Sequence, residues 1–66
     1  MTWLKVAPGV YELMRFSPKI TIIENDRKWY VHIGDDMVPD SFSRLNKAKA
    51  FVYAAIDIAQ KLRFKN

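Results

Sequence analysis

From Leu45 to Leu62 the chain carries an unbroken helical pattern with no Gly or Pro, and that pattern sets the problem the rest of the sequence must solve. At about 100° per residue, Leu45, Ala48, Phe51, Val52, Ala55, Ile56, Ile58, Ala59 and Leu62 fall in one arc of roughly 160°. The centre of the arc is small, with Ala48, Ala55 and Ala59 beside Val52. Phe51, Ile58 and Leu62 line one edge, and Leu45 and Ile56 the other. A helix of this shape lies close against a flat partner. The spacing predicts a helix over 43–63, with Ser43 as the N-cap, because its hydroxyl can accept from an unpaired first-turn N–H. Lys61, Arg63 and Lys65 suit the negative end of the helix dipole. Only the 42 residues before Ser43 can cover the arc within one chain.

Those residues read as strands. Pro8-Gly9 marks a turn. Val10 to Phe16 gathers β-favouring residues and is closed by Ser17-Pro18, and Lys19 to Glu24 is rich in β-branched side chains. Asn25-Asp26-Arg27-Lys28 supplies turn chemistry, since Asn and Asp tolerate left-handed backbone. Trp29 to Ile33 follows as the second arm of a hairpin, Gly34-Asp35-Asp36 ends it, and Met37 to Ser41, with Pro39, leads into the helix. The expected fold is α+β: a three-stranded antiparallel sheet in β-β-β-α order packed on one C-terminal helix, with room for a short extra strand at Trp3 to Val6. Alternation turns Trp29, Val31 and Ile33 toward the helix. On the second strand Ile20 and Ile22 are the expected inward pair because Thr21 is then left outside. On the first the expected pair is Tyr11 and Leu13, against the alternative of Val10, Glu12 and Met14, which buries more but includes Glu12. This choice leaves Glu12, Met14, Thr21, Ile23, Tyr30 and His32 on the opposite face.

At 66 residues the chain is one small domain spanning 1–66, near the lower size at which a core holds without a disulfide, metal or partner. Cysteine is absent, which excludes disulfides and thiolate metal sites. Half the residues are hydrophobic, and one helix covers only one sheet face, so a symmetric homodimer is expected. Its surface is either the open sheet face or a smaller helix patch of Ala50, Tyr53 and Ala54; in a monomer, Trp3 and Leu4 would fold back over the sheet. No apolar run approaches the roughly 18 to 20 residues of a membrane span. Lys5, Pro8 and Gly9 interrupt anything like a signal peptide, so a cytoplasmic protein with no membrane partner is expected.

The net charge of +4 is uneven: residues 1–40 hold five Lys or Arg against six Asp or Glu, a net −1, and residues 41–66 hold six against one, a net +5. A basic second half suits nucleic acid or an acidic protein. The expected contact residues are Arg15, Lys19, Arg27 and Lys28 around the sheet, with Tyr30 and His32 on its open face, and Arg44, Lys47 and Lys49 as the next group. Catalysis is not expected. His32 is the only histidine, and Ser17 and Ser43 have turn and cap roles. Asp35, Asp36 and Asp40 lack the ligand spacing of a calcium loop and read as turn residues, and there is no Gly-rich phosphate loop. No cofactor and no metal is implied.

Lys28-Trp29-Tyr30-Val31-His32-Ile33 followed by Ser41-Phe42-Ser43-Arg44-Leu45-Asn46-Lys47-Ala48-Lys49-Ala50-Phe51-Val52 resembles a pattern of small phage and prophage proteins: an aromatic strand, then Phe, a capping Ser, Leu and an Ala-Lys pair opening a helix. It is also similar, more loosely, to the arm-type DNA-binding domains at the N-terminus of phage-type integrases. That likeness implies DNA contact through an exposed sheet face, carried here by Tyr30 and His32, although the basic residues of this chain sit mainly on its helix. The expectation is a non-enzymatic binding module resembling a phage accessory protein, with nucleic acid as partner, or else a protein-interaction module or inhibitor of a host protein.

Overall fold

A computed structural model describes residues 2–63. The strands are β1 (Trp3–Ala7), β2 (Val10–Leu13), β3 (Ile20–Asn25), β4 (Lys28–Ile33) and β5 (Asp36–Phe42), followed by the helix α1 (Leu45–Arg63). They form one antiparallel sheet in sequence order, a meander. The α+β class and the single C-terminal helix match the expectation from sequence, and the sheet has five strands instead of three.

Each added strand has a physical reason. Trp3–Ala7 carries few β-branched residues, yet its backbone pairs with β2 from Trp3 opposite Leu13 to Ala7 opposite Val10, and the Met14 N–H donates to the Thr2 carbonyl at 2.9 Å. Asp36–Phe42, expected as a connection, is the other edge strand. Pro39 argues against a central strand because it has no N–H to donate, but an irregular edge tolerates it. Tyr30 faces Ser41 and His32 faces Met37, so residues 38–40 together stand opposite Val31 and the proline falls inside that bulge.

The turns follow from local chemistry. Asn25 and Lys28 close a two-residue hairpin whose central residues, Asp26 and Arg27, have φ of 54° and 64°, the left-handed pair that suits strand twist. Gly34 (φ 60°) opens the next tight turn, between Ile33 and Asp36. Gly9 has both a φ of 71° and a close neighbour: a Cβ there would sit 3.3 Å from Glu24 Cβ, and its carbonyl accepts from the Glu24 N–H at 2.8 Å. The first strand expected over 10–16 stops at Leu13, where Arg15 turns to φ 56°.

Leu13, Ile20, Ile22 and Val31 form the floor of the core and Ala48, Val52 and Ile56 its lid, with Trp3, Trp29, Ile33, Val38, Phe42 and Phe51 around them. The inward set expected on β2, β3 and β4 is the set observed; Tyr11 packs beside Trp29 with ring centroids 6.0 Å apart. The helix is rolled by about 40° from the position its apolar arc predicts. Its deepest line runs through Ala48, Val52 and Ile56, while Ala55 is half-buried and Ala59 exposed. Lys49 and Tyr53, on the side toward which the helix is rolled, meet the extra strand β1. Trp3 turns inward, where its Nε1–H donates to Tyr53 Oη at 2.6 Å and its ring meets Tyr53 edge-on, and Lys49 Nζ lies 5.8 Å from the Trp3 ring and 5.6 Å from that of Tyr11. Phe42 and Phe51 close the other side, 5.3 Å apart. Trp3 therefore does not shield the open face, and Tyr53 belongs to the helix and sheet contact instead of a separate patch with Ala50 and Ala54.

The first intrahelical bond runs from the Ala48 N–H to the Arg44 carbonyl at 3.2 Å, which makes Arg44, not Ser43, the N-cap. Strand β5 continues to Phe42, so Ser43 and Arg44 are spent on the bend into the helix. At the far end, 19 residues rising about 1.5 Å each outreach six-residue strands. Ile58 and Leu62 consequently stand in solvent, and Lys61 pairs with Asp57 at 3.2 Å. The expected roles of Lys65 and of the Arg63 side chain lie outside the described residues.

Candidate nucleic-acid interface

The face of the sheet turned away from α1 is ordered by register into two rows that cross all five strands. One row reads Leu4, Glu12, Thr21, His32, Met37, and the other Ala7, Val10, Ile23, Tyr30, Ser41. Neighbours within a row are about 4.8 Å apart and side chains two apart along a strand nearly 7 Å. Glu12, Thr21, Ile23, Tyr30 and His32 all face outward as alternation requires, and Met14, just past the end of β2, is exposed. The middle of the first row is polar and its two edges are apolar and open: Leu4 is 48% exposed and Met37 56%.

The six contact residues expected from sequence do not converge. Tyr30 and His32 sit in adjacent rows, and Lys28 extends the same side of β4 by one further step. Arg27 occupies the tip of the β3–β4 turn beside it. Arg15 and Lys19 lie in the β2–β3 connection, at the opposite end of β3, a separation of about 20 Å over six residues. Lys19 is already engaged, with its Nζ 3.5 Å from Glu12 Oε1.

The structure adds a group of residues that local pattern could not assemble. Antiparallel pairing places Trp29 opposite Phe42, so the next residues outward, Lys28 and Ser43, come together where β5 hands over to α1. A cleft at this corner is lined by Arg27, Lys28, Ser41, Phe42, Ser43 and Lys47. Ser41 is also the partner of Tyr30, so the cleft opens directly onto the outer face. The signal in the sequence was the +5 charge of residues 41–66, which singles out Arg44, Lys47 and Lys49 as a group without saying what they adjoin. Lys49 separates from that group, since it lies over Trp3 and Tyr11 at the helix and sheet contact.

Among the described residues, no group of three or more His, Cys, Asp or Glu side chains is placed to hold a metal ion, and no helix is long and apolar enough to cross a membrane. Asp36 and Asp40 lie on β5 and Asp35 in the turn before it. No protein-family model, no curated protein and no solved structure matches the chain.

Proposed function

We propose that this protein is a non-catalytic binding module for single-stranded nucleic acid, in keeping with its resemblance to small phage and prophage accessory proteins. The observation that carries this reading is the succession Lys28, Tyr30, His32 along the open side of β4, with Ser41 next to Tyr30. It offers, in order, a cation for phosphate, an aromatic ring for a base and an imidazole for hydrogen bonding. A ring on a sheet face stacks only on a base that is free of a duplex, which is why a single strand is the preferred form. The test is a salt-dependent titration with single-stranded and duplex DNA and RNA, repeated for Tyr30→Ala. Single strands are expected to bind more tightly than duplexes, to weaken steeply as salt rises, and to lose about 1 to 3 kcal/mol on removal of the ring. Equal affinity for duplex and single strand, or an unaffected Tyr30→Ala, rejects it.

A second reading, a protein-interaction module whose partner is another copy of the chain, rests on the symmetry of the outer rows. Rotation by 180° about an axis along β3 brings Leu4 onto Met37, Glu12 onto His32 and Thr21 onto itself in one row, and Val10 onto Tyr30 and Ile23 onto itself in the other. In the first row apolar edges then meet apolar edges and a carboxylate faces an imidazole, and in the second Ala7 meets Ser41, in the self-complementary manner of a two-fold interface. Light scattering across a concentration series separates the readings. A single-chain mass at every concentration into the hundreds of micromolar rejects the dimer; a dimer that dissociates on adding oligonucleotide shows that both partners compete for this face. A host protein as target is the remaining form of this reading.

A further inference from the structure

The cleft at the corner of β4, β5 and α1 brings together cations from parts of the chain distant in sequence. Arg27 comes from the β3–β4 turn, Lys28 from the start of β4 and Lys47 from the first turn of α1, and Ser41 and Ser43 add hydroxyls between them. No carboxylate lines it; Asp26 and Asp40 are close in sequence to its walls but are not among the lining residues. The ion pairs among the described residues are Lys19 with Glu12 and Lys61 with Asp57, so none of the cleft cations is neutralised by this chain's own acids in that way.

The helix end makes this placement costly without a counterion. The first turn of α1 contains no acidic residue, and Arg44 and Lys47 stand at the positive end of the dipole, where acidic side chains are the favourable choice. At the other end Asp57 and Lys61 follow the ordinary i, i+4 arrangement. Repulsion among gathered cations, set against a helix end of the same sign, is relieved by an anion seated between them.

We propose that this cleft is a phosphate-binding site, with Arg27 and Lys47 as its principal cations, Lys28 at its junction with β4, and the hydroxyls of Ser41 and Ser43 as hydrogen-bond donors. It rests on the nucleic-acid reading for the source of the phosphate, a backbone group of the strand whose base meets Tyr30. Arginine offers the paired donors that match phosphate oxygens, and lysine a compact charge. The path from Lys28 to Tyr30 to Ser41 is continuous, so one nucleotide could engage the cleft and the ring together.

The experiment compares two doubly substituted proteins that lose the same charge. Arg27→Asn with Lys47→Gln empties the cleft of its main cations while keeping a residue that tolerates positive φ at position 27 and a helix former at position 47. Lys5→Gln with Lys61→Gln removes two charges from β1 and from the last turns of α1, both remote from the cleft. Binding of a short oligothymidylate is measured from low to moderate salt, and amide shifts are recorded with inorganic phosphate alone. The cleft variant is expected to lose at least about tenfold in affinity and to lower the slope of log K against log salt by about 1.4, or about 0.7 for each contact removed. The remote variant is expected to change much less. If the two variants weaken binding equally, the cleft is overturned and the nucleic-acid reading stands. If the unsubstituted protein ignores the oligonucleotide but inorganic phosphate shifts the Ser43 and Arg44 amides, and does so only while Arg27 and Lys47 are present, the cleft stands and the nucleic-acid reading falls. If neither ligand acts on the unsubstituted protein, both are overturned.

Discussion

The two faces of the sheet are made from alternate residues of the same strands, yet they end in opposite states. On the inner face Ile22 and Val31 are wholly buried beneath Val52 and Ala48; on the outer face their chain neighbours Ile23, Tyr30 and His32 remain partly in water. The difference is supplied by a single helix. A lone α1 covers one face and leaves the other open. Burial is thereby divided between alternate residues of the same strands, so a substitution moved by one position should change its cost to folding.

The sharpest way to break this division is to truncate neighbours. Ile22→Ala should cost about 2 to 5 kcal/mol, the range for a large aliphatic removed from a closed core. Ile23→Ala, on the half-buried outer side, should cost less than half as much in the same denaturant titration. Equal losses would mean that the outer face is covered as well, as a stable dimer would cover it.

A smaller effect tests the roll of the helix. Ala48→Leu should destabilise by about 1 to 3 kcal/mol through overpacking, because Ala48 is fully buried in the core between α1 and the sheet. Ala55 borders an apolar groove with Phe16, Ile20, Ile33 and Ala59, so Ala55→Leu has space to enter and should cost less. If Ala55→Leu lowers the melting temperature more, the apolar arc seats as its sequence centre implies and the observed roll is wrong.

Next comes the contact that ties β1 to the inner layer. Trp3→Phe keeps an aromatic ring but removes the donor to Tyr53, for an expected loss of about 0.5 to 1.5 kcal/mol. Tyr53→Phe should lose a similar amount, and the double variant should lose clearly less than the sum. Strict additivity in that cycle would show that the two side chains do not interact in solution.

The smallest effect on folding is expected at the outer edges. Leu4→Ser with Met37→Ser should leave monomer stability within about 0.5 kcal/mol, as for exposed positions in general. In the two-fold arrangement each substitution faces the other across the interface, so association measured by light scattering should fall although the fold is intact. A loss of folding stability comparable to that of Ile22→Ala would erase the distinction between the faces.

The parts of this molecule that could be read from local pattern share one property: their cause lies within a few residues. Trp29, Val31 and Ile33 face inward because side chains alternate along an extended chain, and Asp26 occupies a hairpin tip because it tolerates the left-handed backbone required there. Pro39 misleads for a complementary reason. It correctly signals a residue unable to join a regular ladder, but whether that ends a strand or makes a bulge depends on Tyr30 and His32 across the gap. The residues expected to make contact divide in the same way: the outward facing of Tyr30 and His32 follows from alternation, whereas the separation of Arg15 and Lys19 from Arg27 and Lys28 follows from the length and direction of β3.

By itself the sequence determined a C-terminal helix, a hairpin turned at Asp26 and Arg27, and which side chains of β3 and β4 meet that helix, because each of these follows from backbone periodicity and turn geometry. Only the tertiary structure decided that Trp3–Ala7 and Asp36–Phe42 complete the sheet, that Trp3 meets Tyr53 of the helix, and that Arg27 stands in one cleft with Lys47. An edge strand exists by virtue of the strand it pairs with, and a charge cluster by virtue of which chain ends the pairing brings together; neither is a property of any short stretch of residues.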